Sequence, residues 1–332
     1  MVSREGQPVT KRPAIAVVIV TYNRVKLLRG CLASLLGQMA GSDQVFVIDN
    51  ASTDGTQEMM EAEYTHQSVT YVREEENRGG SAGFHRGMER AYANGFEWIL
   101  LCDDDVEFLP SALASLLALT SVSRCIQSRR LDPEGKPFVW LHRMDPITGW
   151  RYEIEEEGAY GSRDYAEFNL ACFEGLFLHR SLIDDIGLPD ERFFMTEDDA
   201  LYGILASRVT QVIYTRAFIL KRMLTNKREV RGGKVAFARP RSLYLRMRNL
   251  FYLEKYCRVL FAPQRVNHKF FILRQALGAA WRSLLIGEKT LACWQAILGG
   301  IWSGMTTAGR FAVPDLVGTL PDFRSSTGPQ VR

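Results

Sequence analysis

The 332-residue sequence is poor in the residues that build nitrogen and sulfur metal cages. Its five histidines stand at 66, 85, 142, 179 and 268, and none shares the short spacing of a zinc site. The six cysteines (Cys31, Cys102, Cys125, Cys172, Cys257, Cys293) are scattered and form no CxxC pair. Several lie in apolar runs, where a thiol acts as a small hydrophobe. This favours a reducing, cytoplasmic setting over a disulfide framework. A long apolar run is missing from the N-terminus. The run from Ala14 to Val20 has only seven residues and passes straight into TYNR without a small-residue cleavage pattern. It reads as a buried strand, not a signal peptide. No internal repeat or low-complexity tract stands out.

Acidic residues become scarce late in the chain. Residues 1–215 hold 20 Lys+Arg against 33 Asp+Glu, whereas residues 216–332 hold 21 against 5, a surplus of 16 positive charges. Such a basic block suits anionic lipid, a phosphorylated acceptor or nucleic acid; a solvated cationic surface is the plainer alternative.

The first hundred residues alternate β-branched runs with amphipathic stretches. Strands are expected at 14–20, 44–49, 69–73 and 97–103, with helices at 25–39, 55–63 and 81–94. This βαβ alternation predicts an α/β fold with a doubly wound sheet and helices on both faces. Each strand ends in a polar cluster (TYNR, DNASTD, EEENRGG, DDD), and ligands bind beyond the carboxyl ends of such strands. Residues 128–165, rich in Pro, Gly, Trp and charge, read as loops and short strands beside the site. FNLACFEGLFLHR (168–180) reads as one apolar strand, and TEDDALYGILASR (196–208) contains a helix.

Asp103-Asp104-Asp105 crowds three carboxylates at a strand end, a repulsive arrangement unless a cation relieves it. Residues i and i+2 of an extended segment point the same way, so Asp103 and Asp105 can share one Mg²⁺ or Mn²⁺. An acidic cap for a helix starting near Pro110 is the alternative. ENRGGSAGF (76–84) is a glycine-rich turn entering a helix, suited to backbone approach to phosphate, with Arg78 adding charge. Glu197-Asp198-Asp199 opens a second helix, where a carboxylate could accept a proton from an attacking hydroxyl or simply cap the helix.

In order along the chain, VVIVTYNR, VIDNASTDGT, ENRGGSAGFHRGM, LLCDDDVEFLP and FFMTEDDALYG resemble the family-2 glycosyltransferases of the GT-A fold. The run from GGSAGF to EDDALYG, with YLRMRNLFYL (244–253), is most similar to bacterial galactofuranosyltransferases; O-antigen rhamnosyltransferases are near neighbours. The resemblance implies a Rossmann-like mixed sheet with flanking helices and an inverting sugar transfer. By position it places Thr21 and Asp49 at the base and ribose of a nucleotide, and Arg78 and Gly80 beside uracil and phosphates. Asp103 and Asp105 match the metal-holding ends of a DxD motif, with Asp104 near the donor ribose or sugar. Asp198 matches the catalytic base, Asp199 and Glu197 its acceptor-binding neighbours, and Arg248 and Asn249 a pair near the diphosphate. One departure concerns a histidine the family often uses as a further ligand: here AFILKRM (217–223) has Leu220 or Lys221 in its place.

The expected division is 1–239 for a nucleotide-sugar-binding catalytic domain and 240–332 for a basic helical region. TLACWQAILGGIWSGMTTAG (290–309) carries no charge and is long enough to span a bilayer, but Gln, Ser, Thr and Gly lower its hydrophobicity. With FFILRQALGAAWRSLLI (270–286) it reads as an amphipathic pair lying on the inner leaflet, against the alternative of a packed subdomain or dimer contact. The expected partners are a UDP-sugar donor and a polyprenyl-linked or oligosaccharide acceptor, with an anionic membrane surface, no nucleic acid, and oligomerisation left open. Rhamnosyl transfer from dTDP-rhamnose and a non-catalytic glycan-assembly subunit are the competing readings.

Overall fold

The computed structural model describes residues 12–65, 68–138, 143–153, 156–225, 227–230, 233–287 and 289–321. His66 and His142 lie outside these. The chain opens with β1 (Ile15–Thr21), α1 (Val25–Leu36), β2 (Gln44–Asp49), α2 (Thr56–Glu63), β3 (Val69–Arg73), α3 (Gly79–Ala93) and β4 (Trp98–Asp103). All four expected strands are present, each within a residue of its expected bounds. Next come β5 (Val106–Phe108), α4 (Ala112–Leu117), β6 (Cys125–Leu131), β7 (Arg143–Met144), β8 (Arg151–Tyr152), α5 (Glu156–Tyr160), β9 (Tyr165–Phe168), β10 (Leu176–His179) and α6 (Ser181–Ile186). The remainder is α7 (Asp198–Ala206), β11 (Val212–Arg222), the hairpin β12 (Lys227–Val230) and β13 (Gly233–Ala236), then α8 (Pro240–Leu260), α9 (Lys269–Ile286), α10 (Thr290–Thr307) and α11 (Asp315–Gly318).

The main sheet has nine strands in the order β3-β2-β1-β4-β10-β6-β11-β5, with β9 paired to β11. The strands β3 to β4 run parallel, and β10 runs antiparallel to both β4 and β6, so the sheet is mixed. The chain winds outward from β1 to β3, then returns to the other side of β1 as β4. That reversal leaves a crevice at the carboxyl ends of β1 and β4, where Thr21 and Asp103 stand.

Alternation along each strand builds a core on both faces. Ala16, Val18 and Val20 join Ile99 and Leu101 on one side, while Ile15, Val17 and Ile19 join Leu100 and Cys102 on the other. On the first face α3 lies close on β1: a Cβ at Gly87 would stand 2.1 Å from Val18 Cγ1. Gly87→Ala gains helix propensity but overpacks this contact, so a loss of about 1–3 kcal/mol is expected in denaturant unfolding.

Two expectations need correction. FNLACFEGLFLHR is not one strand: β9 and β10 are separated by residues 169–175, which turn toward the crevice. And part of 128–165 is core: β6 sits between β10 and β11, with Gln127, Ser128, Arg129 and Arg130 all buried. The 239/240 division is bridged by packing, because Tyr252, Leu253 and Tyr256 of α8 share the sheet's core with Phe193. Among the described residues no helix is long and apolar enough to cross a membrane.

Candidate active site

The end of β4 carries the acidic cluster. Ligand oxygens of Asp103, Asp105 and Glu174 lie within 4.8 Å of one another. Glu174, which sequence reading did not single out, comes from the turn between β9 and β10. Burial, then the charges of Asp105 and Glu174, push the Asp103 carboxyl well above its usual range. Three guanidiniums answer this charge. Arg24 Nη1 bridges Asp104 Oδ1 and Asp105 Oδ2, at 2.9 Å each. Arg222 Nε and Arg130 Nη1 lie 2.9 and 3.2 Å from Glu174 Oε1. Arg222, from β11, is thus the residue that reaches the cluster from the stretch where a histidine was sought. Leu220 is fully buried in the sheet opposite Phe108, and Lys221 stands opposite Glu107 in the ladder between β11 and β5. Three convergent carboxylates form an all-oxygen donor set, which fits a hard cation such as Mg²⁺ or Mn²⁺.

Of the residues expected to touch the donor, several are occupied in shaping the crevice. Thr21 Oγ1 donates to Asp104 Oδ2 at 2.7 Å, which fixes the middle aspartate. Asp49 is wholly buried; it accepts from Ser52 Oγ and Tyr71 OH, both at 2.5 Å, and holds the turn after β2. Arg78 is exposed, pairs with Glu191 at 2.8 Å and borders a polar cleft with Asn50, Glu74 and His85. His85 itself is engaged with the Pro189 carbonyl at 2.7 Å. Gly80 has open space where a Cβ would be. Its neighbour Gly79 does not: at φ +89°, a Cβ there would meet the Phe194 carbonyl oxygen at 2.1 Å.

That contact explains the glycine-rich turn. It docks on the segment before α7, in which Phe194, Thr196 and Glu197 all hold positive φ (66°, 66° and 68°). Non-glycine residues pay for such conformations, so the segment must be held from outside. Ser81 N donates to Phe194 O at 3.1 Å from above. From below, Asn249 Nδ2 donates to Phe193, Met195 and Thr196 carbonyls at 2.9 Å each, and Arg248 Nη2 donates to Arg192 O and Phe193 O. Arg248 and Asn249, expected beside the diphosphate, are therefore committed to backbone in this structure. Gly79→Ala combines left-handed strain with a backbone clash; a loss of about 1–3 kcal/mol is expected, read as a lower unfolding midpoint.

The three acidic residues then point three ways. Glu197 is buried and paired with Arg151 and with Arg246, the latter at 3.7 Å. Asp198 is 7 % exposed, and its Oδ2 accepts from Ser81 Oγ at 2.6 Å. It borders a cavity of about 450 Å³ walled by Ile186, Leu201, Tyr202 and Tyr256, not by the residues of the β4 end. Burial, then the Asp199 charge, push its carboxyl up to about 7. Asp199 is the more open of the pair. Its pKa is raised by burial and by Glu197, opposed by bonds from Ala200 N and the Cys172 thiol. Arg130 Nη1 donates to Cys172 Sγ at 3.3 Å and lies 3.2 Å from Glu174, so Cys172 and Arg130 link Asp199 to the acidic cluster. Sequence reading had placed Asp198 in the central position.

Comparison with known proteins agrees with this architecture. The chain is 28% identical over 204 residues to the galactofuranosyltransferase GlfT1 of Mycolicibacterium smegmatis, 57% of this chain and 64% of that protein. The match thus spans less than two thirds of that relative's length. It is 24% identical over 222 residues to the N-acetylglucosaminyl-diphospho-decaprenol L-rhamnosyltransferase of Mycobacterium tuberculosis, 57% of this chain and 69% of that one. Among solved structures, the mannosyltransferase PcManGT from Pyrobaculum calidifontis, in complex with GDP-Man and Mn²⁺, aligns with a TM-score of 0.53 at 17% identity, covering 92% of this chain and 78% of that one. GalNAc-T7, with UDP, GalNAc and Mn²⁺, aligns at 0.59 with 12% identity, covering 94% and 59%. These likenesses show the GT-A fold. The family model described as glycosyl transferase family 2 matches residues 16–186, more than half of the chain, and the chain belongs to that family of glycosyltransferases.

Proposed function

We propose that the chain transfers a hexosyl group, galactofuranose from UDP-galactofuranose, to a lipid-linked or growing glycan with inversion at the anomeric carbon. The observation that carries this reading is the adjacency of two acidic sites across Cys172. On one side stand Asp103, Asp105 and Glu174, and on the other stands Asp199, joined to them through Cys172 and Arg130. The donor diphosphate belongs at the first site. There Asp103, Asp105 and Glu174 would hold a Mg²⁺ or Mn²⁺ that supplies charge neutralisation to the departing UDP. Thr21 and Arg24 fix Asp104 and Asp105, and Arg222 adds positive charge beside them.

At the second site the acceptor hydroxyl attacks the anomeric carbon opposite the diphosphate. A new carbon–oxygen bond forms as the bond to UDP breaks, and the hydroxyl proton passes to the base. We assign that base to Asp199 rather than Asp198. Asp199, at the start of α7, is linked to the acidic cluster through Cys172 and Arg130, whereas the Asp198 carboxylate is engaged by Ser81. Asp198, Ser81, Gly79 and Asn249 position the base segment. Glu197, tied to Arg151 and Arg246, braces the acceptor side.

The sugar assignment follows the galactofuranosyltransferase relative, and the rhamnosyltransferase relative supports dTDP-rhamnose as a second reading. Calorimetry with a panel of nucleotide sugars and Mn²⁺ separates them. UDP-galactofuranose is expected to bind at least about tenfold tighter than dTDP-rhamnose, ~1.4 kcal/mol. The reverse order would move the assignment to rhamnose.

A further inference from the structure

The buried sides of α9 and α10 are used up within the protein. Phe271, Ile272, Ala276 and Ala279 of α9, with Cys293 and Ile297 of α10, close a small core on Leu243, Met247 and Leu250 of α8. The opposite sides are apolar as well. On α9 the exposed residues are Phe270, Leu273, Leu277, Trp281 and Leu284, spaced 3, 4, 4 and 3 apart. On α10 they are Leu291, Trp294, Leu298, Trp302 and Met305, with the same spacing. Each set follows one helix face, and eight of the ten side chains are more than half exposed. Two exposed apolar stripes on helices that pack against each other mark a contact surface.

Its charge says what covers it. From 262 to 314 the sequence holds one acid, Glu288, against Arg265, Lys269, Arg274, Arg282, Lys289 and Arg310. Lys269, Arg274, Lys289 and Arg310 are exposed around the apolar face. A second copy of the chain, meeting this one face to face about a two-fold axis, would set these like charges against one another. A negatively charged lipid surface answers both features: leucine and tryptophan side chains enter the headgroup boundary, and the basic rim meets anionic headgroups. We propose that the outer face of α9 and α10 docks on an anionic bilayer surface.

The docking face is tied mechanically to the acceptor side. Phe270 stacks on Trp150 at 6.3 Å, and the next residue, Arg151, pairs with Glu197. Arg246, the other partner of Glu197, also donates to Gln275 of α9 at 3.1 Å. The surface deepens the reading of a lipid-linked acceptor and rests on it for its purpose, by setting the base segment close to the plane where such an acceptor lies.

The test is co-sedimentation of the whole chain with vesicles of phosphatidylcholine alone, or of phosphatidylcholine with phosphatidylglycerol, over a range of salt. Binding to the anionic vesicles is expected to fall at least about tenfold as the ionic strength rises. Combined Leu277→Ser, Trp281→Ser, Leu298→Ser and Trp302→Ser should abolish binding while unfolding and donor binding stay as in the parent. Equal binding to both vesicle types at all salts overturns the proposal. So does unchanged binding by the fourfold variant, or a dimer in solution that this variant splits. The readout is binding, so a failed donor assignment leaves the vesicle result standing, and the reverse holds too.

Discussion

Asp199→Asn is expected to lower turnover by roughly 10²–10⁴-fold, the worth of a positioned general base, with little change in donor affinity. The substitution keeps the shape of the side chain and its acceptor oxygen toward Ala200 N while removing basicity. A base works only when deprotonated. Burial and the Glu197 charge raise the Asp199 pKa, so the rate should fall with decreasing pH earlier than a free aspartate would allow. That limb should vanish from the profile of the variant. Asp198→Asn is the control. It retains a hydrogen bond to Ser81, and because Asp198 keeps its proton up to about 7 the substitution removes no charge facing Asp199 on the acid side. The loss should therefore be smaller and the acid limb should stay in place. Should Asp198→Asn instead cause the larger loss and erase the limb, the base returns to Asp198.

Removal of divalent cations is expected to cost roughly 10²-fold or more in transfer, because an ion at the diphosphate supplies several kcal/mol of charge stabilisation. EDTA followed by Mn²⁺ tests this directly, and Asp105→Ala should reproduce the EDTA result without rescue. Glu174→Gln is the more discriminating variant. It keeps the volume and removes the third carboxylate charge that faces Arg130 and Arg222. A raised Mn²⁺ requirement with turnover restored at high Mn²⁺ identifies Glu174 as a ligand. Full activity of the parent in EDTA would transfer the neutralising role to Arg24 and Arg222.

The parallel half of the sheet was legible in the sequence because β1 to β4 are apolar, β-branched and punctuated by polar ends. The other half was not. In β6 the sequence Gln127-Ser128-Arg129-Arg130 has the polarity of a loop, yet it is buried because its polar groups are answered. Gln127 Nε2 donates to Glu174 O, the Ser128 and Arg129 N–H groups donate to Gly175 O and Thr215 Oγ1, and Arg130 pairs with Glu174. Glu174 itself was concealed in an apolar run whose break into β9 and β10 depends on the partners of each strand, not on its own composition. The acidic triplet at 197–199 was visible as chemistry but not as geometry. Successive residues of a helix start are turned about 100° from one another, so the phase of α7 decides which carboxylate adjoins the cluster. That phase is set by the left-handed backbone at Phe194, Thr196 and Glu197, and no glycine there announces it. Ser81 and Asn249, which hold the segment, lie more than a hundred residues apart in sequence.

The pairing of Arg24, Arg130 and Arg222 with Asp104, Asp105 and Glu174 has a consequence for how the protein matures. Three carboxylates answered by three guanidiniums, beside an Asp103 carboxyl that burial pushes toward its neutral form, leave a nearly balanced patch, so the chain is expected to fold without an ion there. A cation at this site would then load in each round of turnover, with the nucleotide, instead of during assembly. Chelator-treated protein should accordingly melt at the same temperature as untreated protein, so that folding precedes the first encounter with a metal.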